Sequence, residues 1–189
     1  DAAAALLSLN QLWGLDMSIE ELSEIAASLG SDVPFFLTGG TATGTGRGES
    51  ITPIQSLPSL PVTLICPSET IPDKTARMFS RLTADQYTDG CRTERLAGIL
   101  KADGSVADTQ YNVFELVAFQ EFPELEVLRQ QIRLATGAEV HLSGAGPALY
   151  CLPSSEVEFQ RVSHALQPYG ARVYLVHTIT PGSTLGVSG

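Results

Sequence analysis

Cysteine is scarce in this sequence, and the way it is distributed excludes two kinds of stabilised fold. The three cysteines, Cys66, Cys91 and Cys151, lie far apart and form no C-x-x-C pair. Such an odd, unpaired set provides neither a zinc site nor a disulfide framework, and it is typical of a reducing cytoplasm. We therefore expect all three to be packing residues. The three histidines show no ligand spacing either, so no metal site is predicted.

Basic residues are also few. There are 11 lysines and arginines against 21 aspartates and glutamates, for a formal net charge of −10. The basic residues are scattered rather than gathered into a stripe, and a protein that wraps nucleic acid needs a basic surface. Nucleic-acid binding is therefore disfavoured. An anionic small molecule can still bind through backbone N–H groups or a metal ion.

Long apolar runs are missing as well. No stretch approaches the roughly 20 apolar residues that span a bilayer, and we expect no signal peptide. With 43% hydrophobic and 17% charged residues, the chain has the balance of a globular protein with a buried core. The first residue is Asp1 rather than Met, directly before an alanine-rich stretch, so we expect a fragment that begins at the N-terminus of a buried amphipathic helix. This helix is predicted to end near Gly14.

The stretch Gly30–Phe36, G-S-D-V-P-F-F, holds a carboxylate between a helix-ending glycine and apolar side chains. The helix before it is predicted from the capping-box spacing of Ser18 and Glu21. A carboxylate at such a junction can be fixed in direction and partly shielded from water, as a catalytic base requires. Asp32 is therefore the first candidate catalytic residue. Alternatively, Ser31 or Asp32 caps a following short helix, and the two roles can coexist.

Glycine is dense between residues 39 and 49, but the pattern does not match a nucleotide-binding motif. A Walker loop ends in Gly-Lys-Ser/Thr before a helix, and a dinucleotide fingerprint opens a helix. Here the extended, proline-broken segment Ser50–Ile54 follows instead. We expect these glycines to permit tight turns or close strand packing.

Pro58 and Pro61 mark a boundary between two folding units, and the second unit has a recognisable order of elements. The pattern predicts strands at 62–66, 138–142, 148–152 and 172–176, and helices at about 73–82, 92–101, 110–119, 123–136 and 155–167. The order strand, helices, strand, strand, helix, strand is the split β-α-β pattern of a ferredoxin-like sandwich.

The segment Ser143–Pro147, S-G-A-G-P, separates two of these strands and is a second candidate site. Two glycines let the backbone approach a ligand and turn N–H groups toward an anion such as phosphate. The equally weighted alternative is a tight hairpin whose glycines only satisfy turn geometry. The sequence leaves both open.

Two further positions have paired interpretations. Asn112 either orients a ligand or caps a helix. The segment 71–75 joins a strand to a helix, where substrate contacts are often found, but Asp73 there is also explained by capping.

Taken together, these stretches resemble the GHMP small-molecule kinases. The resemblance rests on the opening D-A-A-A-A-L-L, on L-G-S-D-V-P-F-F at 29–36, on G-R-G-E at 46–49 and on L-S-G-A-G-P at 142–147. It implies an α+β fold. Residues 1–57 would be the carboxy-terminal part of the ATP-binding domain (ribosomal protein S5 domain 2-like), and residues 58–189 the ferredoxin-like carboxy-terminal domain.

The resemblance also implies an activity and roles for residues. The branch of the family with the Ser-Asp-Val-Pro-Phe-Phe and Gly-Arg-Gly-Glu stretches uses ATP and Mg²⁺ to phosphorylate the 2-hydroxyl of a cytidine diphosphate ester of methylerythritol, in the non-mevalonate isoprenoid pathway. Asp32 would take or orient the hydroxyl proton. The nucleotide would be contacted by Asp1, Ala2, Ser143, Gly144, Ala145 and Gly146.

One departure from the family pattern bears on activity. Members of the family carry a lysine partner for the aspartate and a glycine- and serine-rich ATP loop ahead of the position of Asp1. Neither is in this sequence, so we expect the chain alone to be inactive. The competing hypotheses are another GHMP kinase, or a ferredoxin-like module that binds a metabolite without chemistry, in which Asp32 would lie more than about 15 Å from the 143–147 loop.

Overall fold

The computed structural model describes residues 1–55, 57–68, 72–102, 109–152 and 154–179. The expectation placed on Ile71 lies outside these residues. The helices are α1 (Ala2–Trp13), α2 (Ile19–Leu29), α3 (Val33–Thr38), α4 (Lys74–Arg81), α5 (Cys91–Lys101), α6 (Glu115–Glu121), α7 (Pro123–Thr136) and α8 (Glu156–Leu166). The strands are β1 (Ala42–Thr45), β2 (Ser50–Pro53), β3 (Pro61–Cys66), β4 (His141–Leu142), β5 (Leu149–Cys151) and β6 (Arg172–His177).

The chain divides into two compact units. The first contains the described residues of Asp1–Ser59, Ala97–Gly104 and Thr178–Gly189, and the second those of Leu60–Leu96 and Ser105–His177. The expected domains, residues 1–57 and 58–189, stay a prediction. In the part of the chain that is described, no helix is long and apolar enough to cross a membrane.

The helix boundaries of the first unit follow from local sequence signals. The α2 helix begins with a capping box, in which Glu21 N–H donates to Ser18 Oγ at 3.2 Å and Ser18 N–H donates to Glu21 Oε2 at 2.8 Å. The α1 helix ends at Gly14, whose φ of 59° is left-handed and is a conformation that glycine adopts without steric cost. Both predictions are confirmed.

The expectation that α1 is buried is wrong for the described residues. Of its side chains only Ala3 is buried, whereas Leu12 is 76% and Trp13 64% exposed. The small core of this unit is formed by Ala3, Leu22, Ala26 and Leu37. The spacing of apolar residues identified the apolar side of α1 but could not show whether another element covers it.

The glycine-dense stretch forms the hairpin of β1 and β2, as the turn interpretation predicts. The strands pair antiparallel with Thr45 opposite Ser50. A Cβ on Gly44 would stand 3.2 Å from Gly48 O, so the two backbones approach too closely for a larger residue to fit without a shift.

The second unit is built on a four-stranded antiparallel sheet in the order β4-β5-β3-β6. Along the chain, helices lie between β3 and β4 and between β5 and β6. Together with the strand order, this is the arrangement of a ferredoxin-like sandwich, and it confirms the predicted pattern. The helices pack on the sheet around a core that includes Ile65, Met78, Leu125, Ile132, Leu149 and Leu166.

Two element predictions in this unit are corrected. The helix expected over 110–119 begins at Glu115, because residues 112–114 form a turn in which Phe114 N–H donates to Asn112 Oδ1 at 3.0 Å. The strand expected over 138–142 is reduced to His141–Leu142, since the residues before it have no partner strand among those described.

The cysteines differ in their surroundings. Cys151 is buried, and burial raises the pKa of its thiol to about 12, with the Glu158 carboxylate as a smaller cause. Cys66 is half-buried. Cys91 is exposed at the start of α5, so the expectation that it packs in a core is wrong.

A buried polar pair joins β3 to the segment before α8. Thr63 and Ser154 are 0% and 4% exposed, and their hydroxyl oxygens lie 2.6 Å apart. Ser154 N–H also donates to Pro61 O at 2.9 Å. Because a buried hydroxyl without a partner is costly, each of these two residues requires the other.

We predict that Thr63→Val, which nearly preserves shape, lowers the free energy of unfolding by about 1–3 kcal/mol, because it leaves the Ser154 hydroxyl unsatisfied. Urea unfolding measures the effect. Thr52→Val, on the exposed strand β2, is the matched control and should change stability by less than about 0.5 kcal/mol. The double variant with Ser154→Ala should cost less than the sum of the two single changes, and strict additivity would contradict the pairing.

Candidate functional site

Asp32 lies at the residue before α3, in the first unit. Its side chain is exposed and makes no capping hydrogen bond, and Pro34 in the first turn is buried. The capping role for Asp32 and the expected shielding from water are therefore both absent within the described residues. No donor in those residues bonds the carboxylate, so both its oxygens remain available to a ligand hydroxyl.

Asp1 and Ala2 lie at the N-terminus of α1, the first as its N-cap residue. The Asp1 side chain makes no capping hydrogen bond, and the first intrahelical bond is donated by Ala5 N–H to Asp1 O at 3.0 Å. The N–H groups of the first turn therefore point out of the helix end, where the helix dipole favours an anion. This placement is compatible with the expected nucleotide contact.

The Ser143–Pro147 loop connects β4 to β5 in the second unit. Ser143 N–H donates to Ala148 O at 2.9 Å and Gly146 N–H donates to Ser143 O at 2.8 Å, so these two amides close a tight turn. The N–H groups of Gly144 and Ala145 find no partner in the described part of the chain. The loop is thus a hairpin turn that also presents two unpaired amide donors, and the two interpretations of its glycines are compatible.

Asn112 fixes this loop from the segment before α6. Its Nδ2 donates to Leu142 O at 2.9 Å and to Gly144 O at 2.7 Å, while its Oδ1 accepts from Phe114 N–H. The alternatives weighed for Asn112, helix capping and ligand orientation, both missed this contact. One amide side chain stabilises a turn and binds two carbonyl oxygens, one at the end of β4 and one in the loop.

Lys74 and Glu115 also contact the loop or its first strand. The sequence pointed to Lys74 only as a member of the segment 71–75, and it did not point to Glu115. Lys74, the first residue of α4, donates from Nζ to Gly146 O. Glu115 Oε1 accepts from Leu142 N–H at 2.8 Å and lies 3.4 Å from His141 Nδ1. The one available signal was the position of Lys74 between a strand and a helix.

Tyr150, opposite His141 in the sheet, is part of the same surroundings. Burial raises the pKa of its phenol, and the Glu115 carboxylate adds to the effect. Both causes favour the neutral form of the Tyr150 phenol. Asp73, expected to cap α4, makes no capping hydrogen bond.

Comparison with known families places both parts of the chain in one group. The family model described as GHMP kinases N terminal domain matches residues 1–40, and the one described as GHMP kinases C terminal matches residues 90–171. The chain belongs to the GHMP kinase family. The first match contains Asp1, Ala2 and Asp32, and the second contains the whole Ser143–Pro147 loop.

Curated GHMP kinases resemble the chain along nearly all its length. A 4-diphosphocytidyl-2-C-methyl-D-erythritol kinase from Dehalococcoides mccartyi is 40% identical over 181 residues, which are 95% of this chain and 64% of that protein. A protein of the same name from a Geobacillus species is 34% identical over 95% of this chain and 62% of its own length. The chain therefore spans less than two thirds of these relatives.

Solved structures agree with the family assignment. A 4-(cytidine 5'-diphospho)-2C-methyl-D-erythritol kinase superposes with a TM-score of 0.72 at 29% identity, covering 94% of this chain and 63% of that one. A homoserine kinase from Cytophaga hutchinsonii gives a TM-score of 0.66 at 18% identity over 95% of this chain and 63% of its own, a likeness of fold alone. The GHMP kinase fold is therefore shown.

The two glycines of the loop provide a matched prediction for stability. Both have a left-handed φ, 56° at Gly144 and 77° at Gly146, but an added Cβ would meet nothing within 4 Å at Gly144 and would lie 2.8 Å from Leu142 Cδ1 at Gly146. We predict that Gly144→Ala costs about 1–2 kcal/mol of unfolding free energy from backbone strain alone. Gly146→Ala should cost about 1–3 kcal/mol more from overpacking. Urea unfolding that finds equal costs would contradict this geometry.

Proposed function

We propose that this chain is part of an ATP-dependent kinase that phosphorylates the 2-hydroxyl of 4-diphosphocytidyl-2-C-methyl-D-erythritol, in the non-mevalonate isoprenoid pathway. The observation that carries the proposal is the 40% identity, over 95% of the chain, with the D. mccartyi kinase of that name. The unpaired amides of the Ser143–Pro147 loop support it, because phosphoryl transfer depends chiefly on positioning and on stabilising phosphate charge.

Asp32 is proposed to accept or orient the proton of the substrate hydroxyl. An exposed carboxylate without partners in the described residues has the lone pairs that this role needs, and the following α3 helix with its buried Pro34 and Leu37 holds its backbone in place. The proton would move from the hydroxyl oxygen to Asp32 Oδ while that oxygen bonds to the γ-phosphorus of ATP and ADP leaves.

The phosphates of ATP are proposed to bind at backbone donors rather than at a basic surface. The candidates are the N-terminus of α1, with Asp1 and Ala2, and the loop residues Ser143, Gly144, Ala145 and Gly146. Backbone N–H groups at a helix start or in a glycine turn are suited to anions. It stays a prediction that these residues, which are far apart in the sequence, contact one nucleotide.

Magnesium is proposed to arrive on the nucleotide. The described residues contain no group of three or more histidine, cysteine, aspartate or glutamate side chains that could hold a metal ion. We place Mg²⁺ on the nucleotide because the ion usually keeps several waters and is bound by substrate phosphates with one or two carboxylates. When bound, it would neutralise phosphate charge.

The three free cysteines support a reducing compartment, the cytoplasm.

We predict that the 189-residue chain alone does not phosphorylate this substrate. It spans 64% of the D. mccartyi kinase, and the lysine and ATP loop that the family resemblance implies are not in its sequence. A coupled assay of ADP release, with ATP, Mg²⁺ and the cytidine-linked substrate, measures this. ATP-dependent product formation by this chain would contradict the expectation.

Joining the chain to the amino-terminal third of the D. mccartyi kinase should give a chimera with turnover, and Asp32→Asn should then reduce kcat about 10²–10⁴-fold. Asp16→Asn, an exposed carboxylate in the same unit, is the matched control and should leave kcat within about twofold. Activity on homoserine or mevalonate instead would point to another GHMP kinase. An Asp32→Asn chimera that retains folding and full turnover would exclude the proton-accepting role.

A further inference from the structure

Lys74 stands out among the basic residues because its ammonium faces a carbonyl rather than a carboxylate. Arg77 and Arg81, on the same helix α4, both pair with Glu121 at 2.6 and 2.8 Å. Lys74 is half-buried, and its Nζ donates to Gly146 O, while no carboxylate in the described ranges forms an ion pair with it. Among the described residues, the ammonium of Lys74 is therefore bonded to a carbonyl oxygen and forms no ion pair.

An ammonium has more donors than this contact uses. It carries three N–H groups and no acceptor, and the bond to Gly146 O occupies one of them. The remaining donors lie beside a loop in which the Gly144 and Ala145 N–H groups have no partner among the described residues. A positive charge next to unpaired amide donors is an arrangement that binds phosphate oxygens.

Two carbonyl oxygens of the loop, and that of Leu142 just before it, accept hydrogen bonds from side chains. Asn112 Nδ2 binds Leu142 O and Gly144 O, and Lys74 binds Gly146 O. Three oxygens that would repel an anion thus each face a donor. With these oxygens satisfied, the loop presents donors to a ligand at Gly144 and Ala145.

We propose that Lys74 is a phosphate-binding residue, which shares a phosphate group with the amides of Gly144 and Ala145, and that Asn112 is the positioning residue that holds this loop. The identity of the phosphate as that of ATP rests on the proposed function. The binding of a phosphate group does not. Lys74 would contribute electrostatic attraction and one or two hydrogen bonds, with no change in covalent bonds.

The direct test is titration of inorganic tripolyphosphate into the ¹⁵N-labelled chain, following the Gly144 and Ala145 amide resonances. Lys74→Met is expected to raise the Kd about five- to tenfold, the usual range for losing one charge-assisted hydrogen bond at a partly exposed site. Lys74→Arg, which keeps the charge, should restore binding to within about threefold. Lys101→Met, which changes the only other lysine of the chain, is the matched control and should leave the Kd unchanged.

Asn112→Asp tests the positioning role with almost no change of shape. It keeps the acceptor for Phe114 N–H but places a carboxylate oxygen against Leu142 O and Gly144 O, so tripolyphosphate binding should weaken. Asn10→Asp is the matched control, because Asn10 bridges Met17 through the same two groups, with bonds of 3.0 and 3.1 Å, in the first unit. It should lower stability without changing the Kd.

Lys74→Met could fold, keep its loop resonances and bind tripolyphosphate as the unchanged chain does. That result would show that Lys74 only hydrogen-bonds Gly146 O and does not bind phosphate. The absence of any shift at Gly144 and Ala145 in the unchanged chain would also overturn the inference. If the chimera lacks turnover while Lys74→Met still weakens tripolyphosphate binding, the proposed kinase reaction fails and the phosphate site stands.

In an active chimera, Lys74→Met should raise KM for ATP more than it lowers kcat.

Discussion

The candidate site depends on which backbone groups of the Ser143–Pro147 loop are hydrogen-bonded within the protein and which are not. A turn of five residues cannot satisfy all its backbone groups internally, and those left over must find side chains, water or a ligand. Here the carbonyl oxygens of Gly144 and Gly146 take side-chain donors, whereas the N–H groups of Gly144 and Ala145 have no partner in the described part of the chain. The loop is therefore prepared for an acceptor, and phosphate is the acceptor that the family assignment suggests.

This hydrogen-bonding pattern of the loop requires side chains from elements that are distant in sequence. Lys74 comes from the start of α4, Asn112 from the turn before α6, and Glu115, which holds Leu142 N–H at 2.8 Å, from the first turn of α6 itself. All belong to the connection between β3 and β4. The ferredoxin-like strand order returns this long connection to the edge where β4 enters the loop, so the fold positions the donors. Packing of the core under the sheet keeps them there.

What the sequence could predict is what depends on local spacing. The capping box of Ser18 and Glu21 and the helix end at Gly14 follow from residues three or four positions apart and from backbone chirality, and both are confirmed. The exposure of α1 and of Cys91 could not be predicted, because periodicity shows which face is apolar and not whether another element covers it. Asn112 contacts a carbonyl 30 residues away, a tertiary relation that no local pattern encodes.

A chain with a net charge of −10 does not attract a polyphosphate by its overall field. At physiological ionic strength, charges more than about 8 Å apart are largely screened, so the distant carboxylates oppose binding little and the groups at the loop decide it. In the proposed site, two amide donors and one ammonium would supply a local positive potential without a basic surface. A short, fixed site of this kind would let so acidic a chain bind a phosphate group, whereas a long polyanion requires an extended basic track.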